Sequence, residues 1–237
     1  MKSTLLSLLL ATGLSAGGAQ ASFTLFNDQA AFLSATGAAS ATGALPDLGL
    51  VPSFGSASVG QVIFSDPDGQ GGFFIGGASY WAGIPNFDWT TRYAGNELAI
   101  NHIENLNVFF AAPVYSAGFD FVEPGALDVQ SPYANDGDYP YVDSVFSVTL
   151  KLGASHVSEF SFNAPDNLAS FVGVWSDAAF DRMEIRETTG GIEDDYFGQF
   201  YTGAVAAPVP EANTYVLMLL GIGLVGFIAR RRASAAV

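Results

Sequence analysis

The chain lacks cysteine entirely and has little of the chemistry that most enzymes use. Without cysteine in its 237 residues, disulfides, thiol nucleophiles and thiolate metal sites are excluded. The two histidines, His102 and His156, do not have the spacing of a zinc site. No Gly-x-Ser-x-Gly elbow and no phosphate-binding glycine loop with its lysine occurs. Carboxylates are so abundant that a glycosidase-like pair could be chosen anywhere. We therefore predict a protein that is not an enzyme.

Basic residues are also scarce in the central region. Residues 22–207 contain four basic and 22 acidic residues, a formal charge of −18. Such a surface repels nucleic acid and anionic lipid, so no nucleic-acid partner is expected. It suits solubility outside the cell, divalent cations, or a neutral or cationic glycan. With 20 Phe and 9 Tyr in the chain, this region has the material for one folded domain.

The N-terminus has the pattern of a secretory signal peptide. Lys2 precedes an apolar run at residues 5–14, and Ala19-Gln20-Ala21 follows. A charged start, an apolar stretch and an A-x-A site predict a signal peptide over residues 1–21, cut after Ala21. The alternative is a first buried helix.

The C-terminus has the pattern of a membrane segment. Residues 215–229 carry no charge and end at Arg230, Arg231 and Arg232. With the uncharged residues 212–214 the run is long enough to span a bilayer, so we predict a transmembrane helix at residues 217–228 with the arginines as its cytoplasmic stop. A buried core helix, the alternative, would not normally end on three arginines. The chain thus divides into residues 1–21, 22–207 and 208–237.

The tripeptide Val209-Pro210-Glu211, placed before the apolar helix and the arginines, resembles the PEP-CTERM sorting signal, with Ala212 where a second proline is usual. The resemblance implies recognition of Pro210 and Glu211 by an exosortase-type enzyme of a Gram-negative bacterium that makes exopolysaccharide. It also implies transient anchoring in the inner membrane, followed by transfer to the cell surface or secretion.

Residues 22–207 show one helix signal and many strand signals. Asn27 or Asp28 can cap a helix that carries Ala31, Phe32 and Ala35 on one side and ends at Gly37. Residues 38–58 are expected to form a loop, as are residues 123–141. Short alternating segments predict strands at residues 61–65, 72–75, 97–101, 106–110, 114–122, 142–152, 157–162, 169–175, 179–187 and 196–202.

This pattern predicts an all-β fold, an antiparallel β-sandwich or jelly roll with one short N-terminal helix. Residues 171–185 also resemble a strand-turn-strand segment found near the end of many PEP-CTERM ectodomains. That resemblance implies a jelly-roll sandwich like those of carbohydrate-binding modules.

Acidic clusters suggest a structural Ca²⁺ ion. Asp66-x-Asp68-Gly69 opens like an oxygen-ligand loop but lacks the later ligands of an EF-hand. Glu193-Asp194-Asp195 and Asp136-Gly137-Asp138 are the other clusters. We choose Asp195 as the first candidate ligand, because it precedes the last predicted strand. A solvated turn is the alternative for each cluster.

Aromatic residues suggest a glycan-binding surface. Trp81, Trp89 and Tyr93 lie in a turn-rich segment, where flat rings can stack on sugar faces. The alternative is that these rings belong to the core. The leading hypothesis is a surface protein that binds, or is embedded in, exopolysaccharide. The alternatives are a structural matrix protein without a specific ligand and, less favoured, a glycan-processing hydrolase.

Overall fold

The computed structural model describes residues 21–69, 71–77, 95–100, 103–123, 142–166, 168–190 and 195–206. These residues contain one short helix and otherwise antiparallel strands. In chain order the elements are β1 (Phe23–Phe26), α1 (Gln29–Thr36), β2 (Ala39–Ser40), β3 (Gly49–Val51), β4 (Ser56–Val59), β5 (Val62–Ser65), β6 (Phe73–Gly76), β7 (Glu97–Ile100), β8 (Leu106–Val122), β9 (Val145–Leu152), β10 (Ser155–Phe162), β11 (Ser170–Thr189) and β12 (Tyr196–Gly203).

The strands form one hydrogen-bonded sheet in the order β10-β9-β11-β8-β12-β7-β6-β3. β1 pairs with β11, β2 with β12, and the β4–β5 hairpin with β8. The described pairs are antiparallel, and the arrangement is sandwich-like. The predicted all-β antiparallel fold with one short N-terminal helix is confirmed.

Two long strands, β8 and β11, build the sandwich by bending. Their pairing is irregular between Trp175 and Arg182 of β11, opposite the exposed residues 111–113 of β8. Before the bend, β8 pairs with β5; after it, β8 pairs with β12. A straight strand as long as β8, with 17 residues, would span about 55 Å at about 3.3 Å per residue. Register irregularities of this kind bend a strand locally, and β8 has different partners on the two sides of this one.

Helix α1 begins and ends at the residues that its sequence indicates. The Asp28 carboxylate accepts a hydrogen bond from the Ala31 N–H at 2.7 Å, and Gly37 ends the helix with φ 64°, a conformation that suits glycine. Phe32 is fully buried and packs against Phe171 of β11, whereas Ala31 and Ala35 are exposed. Phe32 and Thr36 are the buried residues of the helix, and Phe32 supplies the ring that packs it against β11.

Phenylalanines fill the space inside the bent sheet. Six of them form a continuous cluster with ring centroids 5.0–6.3 Å apart: Phe119, Phe121, Phe146, Phe162, Phe197 and Phe200. Aliphatic side chains such as Val148, Leu150 and Ile185 surround them. Burial of this apolar surface is the main stabilising contribution to a domain without disulfides.

The strand predictions differ from the structure in three places, the first of which is β1, where no strand was expected. Residues 38–58 are not an irregular loop, because they contain β2, β3 and the start of β4. The separate strands predicted at residues 106–110 and 114–122 are one strand, as are those at 169–175 and 179–187. In the described part of the chain, no helix combines the length and apolar character needed to cross a membrane. The predicted signal peptide (except Ala21) and the predicted transmembrane helix lie outside the described residues.

Candidate functional site

A cleft of about 850 Å³ opens between the N-terminal segment and the β10–β11 connection. One wall is formed by the end of β1 and the start of α1, and the other by residues 163–165 and 168–173. Apolar side chains lining it include Leu25, Phe162 and Leu168, of which Leu25 and Leu168 are exposed. Its volume lies in the range of small-ligand sites.

A triangle of hydrogen bonds lies beside the cleft. Gln29 Nε2 donates to Asp120 Oδ1 at 3.0 Å and to Tyr201 Oη at 2.6 Å, and Tyr201 Oη donates to Asp120 Oδ2 at 3.0 Å. Burial raises the pKa of the Asp120 carboxyl, although these hydrogen bonds oppose the rise. Burial and the neighbouring Asp120 raise the pKa of the Tyr201 hydroxyl. The triangle fixes two polar side chains, Gln29 and Asp120, at the wall of the cleft.

Three acidic residues meet next to this cleft. Glu123 follows β8, Asp143 precedes β9 and Asp166 follows β10, and a carboxylate oxygen of each lies within 4.8 Å of those of the other two. Asn163, which lines the cleft, donates a hydrogen bond from Nδ2 to Asp143 Oδ1 at 3.0 Å. We call Glu123, Asp143 and Asp166 the acidic cluster. Asp166 directly follows residues 163–165 of the cleft wall.

Glu123 is the buried member of the acidic cluster. It is 1 % exposed, and its Oε1 accepts a hydrogen bond from the Ser144 N–H at 2.5 Å. Its Oε2 is also buried and receives no hydrogen bond from the described residues. Burial raises the pKa of Glu123 to about 8; the Ser144 hydrogen bond opposes this, and the charges of Asp143 and Asp166 and a side-chain hydrogen bond with Asp143 add to it. Near neutral pH this carboxyl group therefore needs a proton or a cation beside it.

Further acids at this end of the sandwich are linked to the cluster by hydrogen bonds that their carboxylates accept from Ser144 Oγ and from backbone N–H groups. Glu187 accepts from Ser144 Oγ at 3.3 Å and from the Glu104 N–H at 2.8 Å. Glu104 in turn accepts from the Asp195 N–H at 2.8 Å. Glu104 and Asp195 are both fully buried. The predicted metal ligand Asp195 thus lies at the same end as the acidic cluster but is not one of its three members, and its role as a ligand stays a prediction.

The Asp66 turn uses its carboxylate for its own backbone. Asp66 Oδ1 accepts hydrogen bonds from the N–H groups of Asp68 and Gly69, and Oδ2 accepts one from the Phe54 N–H at 3.2 Å. Asp68 is held by the side chain of Asn105. These bonds give the segment a structural explanation as a side-chain-stabilised turn.

The other predicted site residues lie outside the described residues. They are the aromatic residues Trp81, Trp89 and Tyr93, the sorting residues Val209, Pro210 and Glu211, and the arginines Arg230, Arg231 and Arg232. The acidic cluster and the cleft were not predicted from the sequence. Each member of the cluster stands one to four residues from a strand end, and that position was the one available signal.

The fold and the site define an acidic antiparallel β-sandwich domain with a small-ligand-sized cleft. Residues 208–232 match the PEP-CTERM protein-sorting motif. This match confirms the predicted resemblance and indicates a protein that is exported and sorted by an exosortase, with cell-surface or membrane-anchored transit. A search of curated proteins found no match.

Proposed function

We propose that this protein is a non-catalytic component of the bacterial surface whose β-sandwich binds extracellular polysaccharide through the cleft. Its route would be export across the inner membrane of a Gram-negative cell, retention by the helix at residues 217–228, and release or anchoring after exosortase processing. The cleft carries the proposal, because it combines exposed apolar side chains with fixed polar groups. Sugars present apolar ring faces and hydroxyl groups that such a surface can bind.

The lining of the cleft supports binding rather than hydrolysis. Glycoside hydrolysis by the usual mechanism needs two carboxyl groups, one of them available as a nucleophile or base. The two carboxyl groups that line the cleft, Asp28 and Asp120, already have structural partners. Asp28 caps α1 through the Ala31 N–H, and Asp120 accepts from Gln29 and Tyr201. Neither is presented as an unengaged reactive group.

The charge of the domain favours particular glycans. Residues 22–207 carry a formal charge of −18, which disfavours polysaccharides rich in carboxylates or sulfates at low salt. We therefore propose a neutral or cationic polysaccharide as the ligand. The aromatic segment with Trp81, Trp89 and Tyr93 remains a second candidate surface for the same ligand.

A binding assay with paired variants tests this proposal. The full-length chain, purified in a nonionic detergent, would be titrated against polysaccharide extracted from the producing cells and against purified neutral and acidic glycans. Asn27→Ala and Leu168→Ala alter exposed residues that line the cleft. Their matched controls are Gln61→Ala and Leu50→Ala, which alter exposed residues away from it.

We expect the cleft variants to weaken binding at least fivefold with an unchanged Tm, and the controls to bind like the wild type. If Trp81→Ala and Trp89→Ala weaken binding instead, the aromatic segment is the surface and the cleft is not. If no variant and no glycan gives measurable binding, the matrix-protein alternative replaces the proposal. Turnover of a glycan into shorter products would overturn the non-catalytic assignment.

A further inference from the structure

The acidic cluster has two independent features that point to a bound cation. The first is geometric, since carboxylate oxygens of Glu123, Asp143 and Asp166 lie within 4.8 Å of one another. The second is the environment of Glu123, which is 1 % exposed and has a buried Oε2 that no described residue hydrogen-bonds. Buried carboxylates normally have a donor or a cation as partner. The described residues supply an N–H donor for Oε1 and none for Oε2. The Asp143 carboxyl group can hydrogen-bond Glu123 only when one of the two holds a proton, so a fully ionised cluster needs a cation.

We propose that Glu123, Asp143 and Asp166 bind a divalent cation of the calcium class, each through one carboxylate oxygen. Ca²⁺ takes six to eight oxygen ligands in flexible geometries. Three carboxylates therefore leave coordination positions for water or for ligand hydroxyl groups. Mg²⁺ demands a near-octahedral shell at shorter distances and retains its waters, so a cluster drawn from three separate strand ends suits it less well.

The connections of the cluster fit a structural role for the ion. Its ligands come from the end of β8, the start of β9 and the segment after β10, so one ion would join three chain segments. Glu123 is buried and is held in place by the Ser144 N–H. Asp143 and Asp166 are exposed, so the ion can enter the site from solvent. Extracellular modules bind Ca²⁺ with a Kd of about 10⁻⁴–10⁻³ M, and we expect a value in that range.

The ion would also order one wall of the cleft. Asn163 and Leu168 both line the cleft. Asn163 donates a hydrogen bond to Asp143, and Leu168 stands two positions after Asp166. Two of the proposed ligands are therefore linked to residues of that wall. An effect of the ion on polysaccharide binding rests on the proposed function. Binding of the ion itself does not, and it can be measured without any polysaccharide.

Calcium titration of the full-length chain tests the proposal. After chelator treatment, the protein in nonionic detergent at fixed pH and ionic strength would be titrated with CaCl₂ by calorimetry and heated with and without 10 mM CaCl₂. For a Kd of about 10⁻³ M we expect a rise in Tm of about 3 °C or more. MgCl₂ at the same concentration should give a smaller rise.

Three variants make the test specific. Asp166→Asn changes an exposed residue and should retain the fold while weakening Ca²⁺ binding at least tenfold. Glu123→Gln keeps an acceptor for the Ser144 N–H and removes the buried charge, so it should abolish the Tm shift. Glu159→Gln makes the same chemical change at an exposed position of β10 and should leave the shift unaltered.

The proposal fails if the wild type binds no Ca²⁺. It also fails if Asp166→Asn binds Ca²⁺ as the wild type does, because the ion would then be elsewhere on the acidic surface. Should Glu123→Gln not fold, Asp166→Asn alone decides the question. A positive titration with no polysaccharide binding would leave this site in place and refute the proposed function only.

Discussion

Asp177 holds Ser22 through three hydrogen bonds. Its carboxylate accepts from the Ser22 N–H at 3.0 Å and from Ser22 Oγ at 2.6 Å, and its own N–H donates to the Ser22 carbonyl at 3.1 Å. Ser22 is the residue that a cut after Ala21 would make the new N-terminus. Its backbone nitrogen would then be an ammonium group, and the bond to Asp177 would become charge-assisted.

The Asp177 contact predicts a stability effect that depends on processing. Asp177→Asn should lower the Tm of the processed chain by about 1–4 °C, the range expected for an exposed ion pair with good geometry. The decrease should be smaller in the unprocessed chain, where the nitrogen is an uncharged amide. Thermal unfolding together with N-terminal sequencing would check this. An equal decrease in both forms would show that the charge of the N-terminus contributes nothing.

The close approach of β8, β11 and α1 predicts that adding one methyl group at Gly173 destabilises the fold. Gly118 and Gly173 face each other in the β8–β11 register. A Cβ at Gly173 would lie 2.7 Å from Phe171 Cε1 and 2.9 Å from Phe32 Cδ2. Gly173→Ala should therefore displace the Phe32 ring, which packs α1 against β11, and lower the free energy of unfolding by about 1–3 kcal/mol. In a Phe171→Leu background the cost should fall, which chemical denaturation of the four chains can measure.

The Glu184 ion pairs predict an acid-dependent contribution to stability. Glu184 lies 2.8 Å from Lys151 Nζ and 3.2 Å from Arg182 Nε. Burial opposes ionisation, but the hydrogen bond from Lys151 and the neighbouring positive charges outweigh it and lower the pKa of Glu184 below 4.5. A carboxyl group with a lowered folded-state pKa stabilises the fold above its unfolded value and loses this effect as the pH falls through the folded value.

Glu184→Gln should thus lower the free energy of unfolding by about 0.5–1 kcal/mol at pH 7. The difference in this free energy between variant and wild type should shrink as the pH falls below 4.5. Urea unfolding at several pH values gives both numbers. A difference that stays constant down to the acid limit would mean that charge does not contribute at this position.

Substitution in the sorting motif should change how the protein is distributed between the membrane and the extracellular fraction. Pro210→Ala should leave the chain unprocessed, because the tripeptide Val209-Pro210-Glu211 would lose its proline, whereas Pro208→Ala, outside that tripeptide, should be processed normally. Intact mass spectrometry of the membrane and extracellular fractions would distinguish the two products. Normal processing of Pro210→Ala would show that this proline is not needed for recognition.

Local signals account for the part of the fold that the sequence predicted. The ends of α1 were identified at Asp28 and Gly37 because a cap and a left-handed glycine act within one turn. The breaks expected near residues 111–113 and 176–178 correspond to the irregular pairing of β8 with β11. β8 and β11 continue through these breaks because they pair with each other on both sides of the irregular region. That pairing joins residues far apart in the sequence, so no local sequence pattern indicates it.

The acidic cluster was missed for a related reason. Glu123, Asp143 and Asp166 are separated by 20 and 23 residues in the sequence, so no motif spacing links them. Only the pairing of β10 with β9, and of β9 and β8 with β11, brings them to one end of the sandwich. β1 was missed because its pairing partner in β11 lies about 150 residues away, as the register of Phe26 with Gly173 shows.

The position of β12 has a consequence for the order of events in the cell. This strand lies between β8 and β7 and also pairs with β2, so the sheet is incomplete without it. It ends at Gly203, and only four residues separate it from the matched sorting motif, which begins at residue 208. A chain exported from its N-terminus delivers β12 last, when the sorting segment is already entering the translocation machinery. Completion of the fold and arrival at the membrane would then be nearly simultaneous, so the enzyme that processes the motif would encounter a domain that has only just closed.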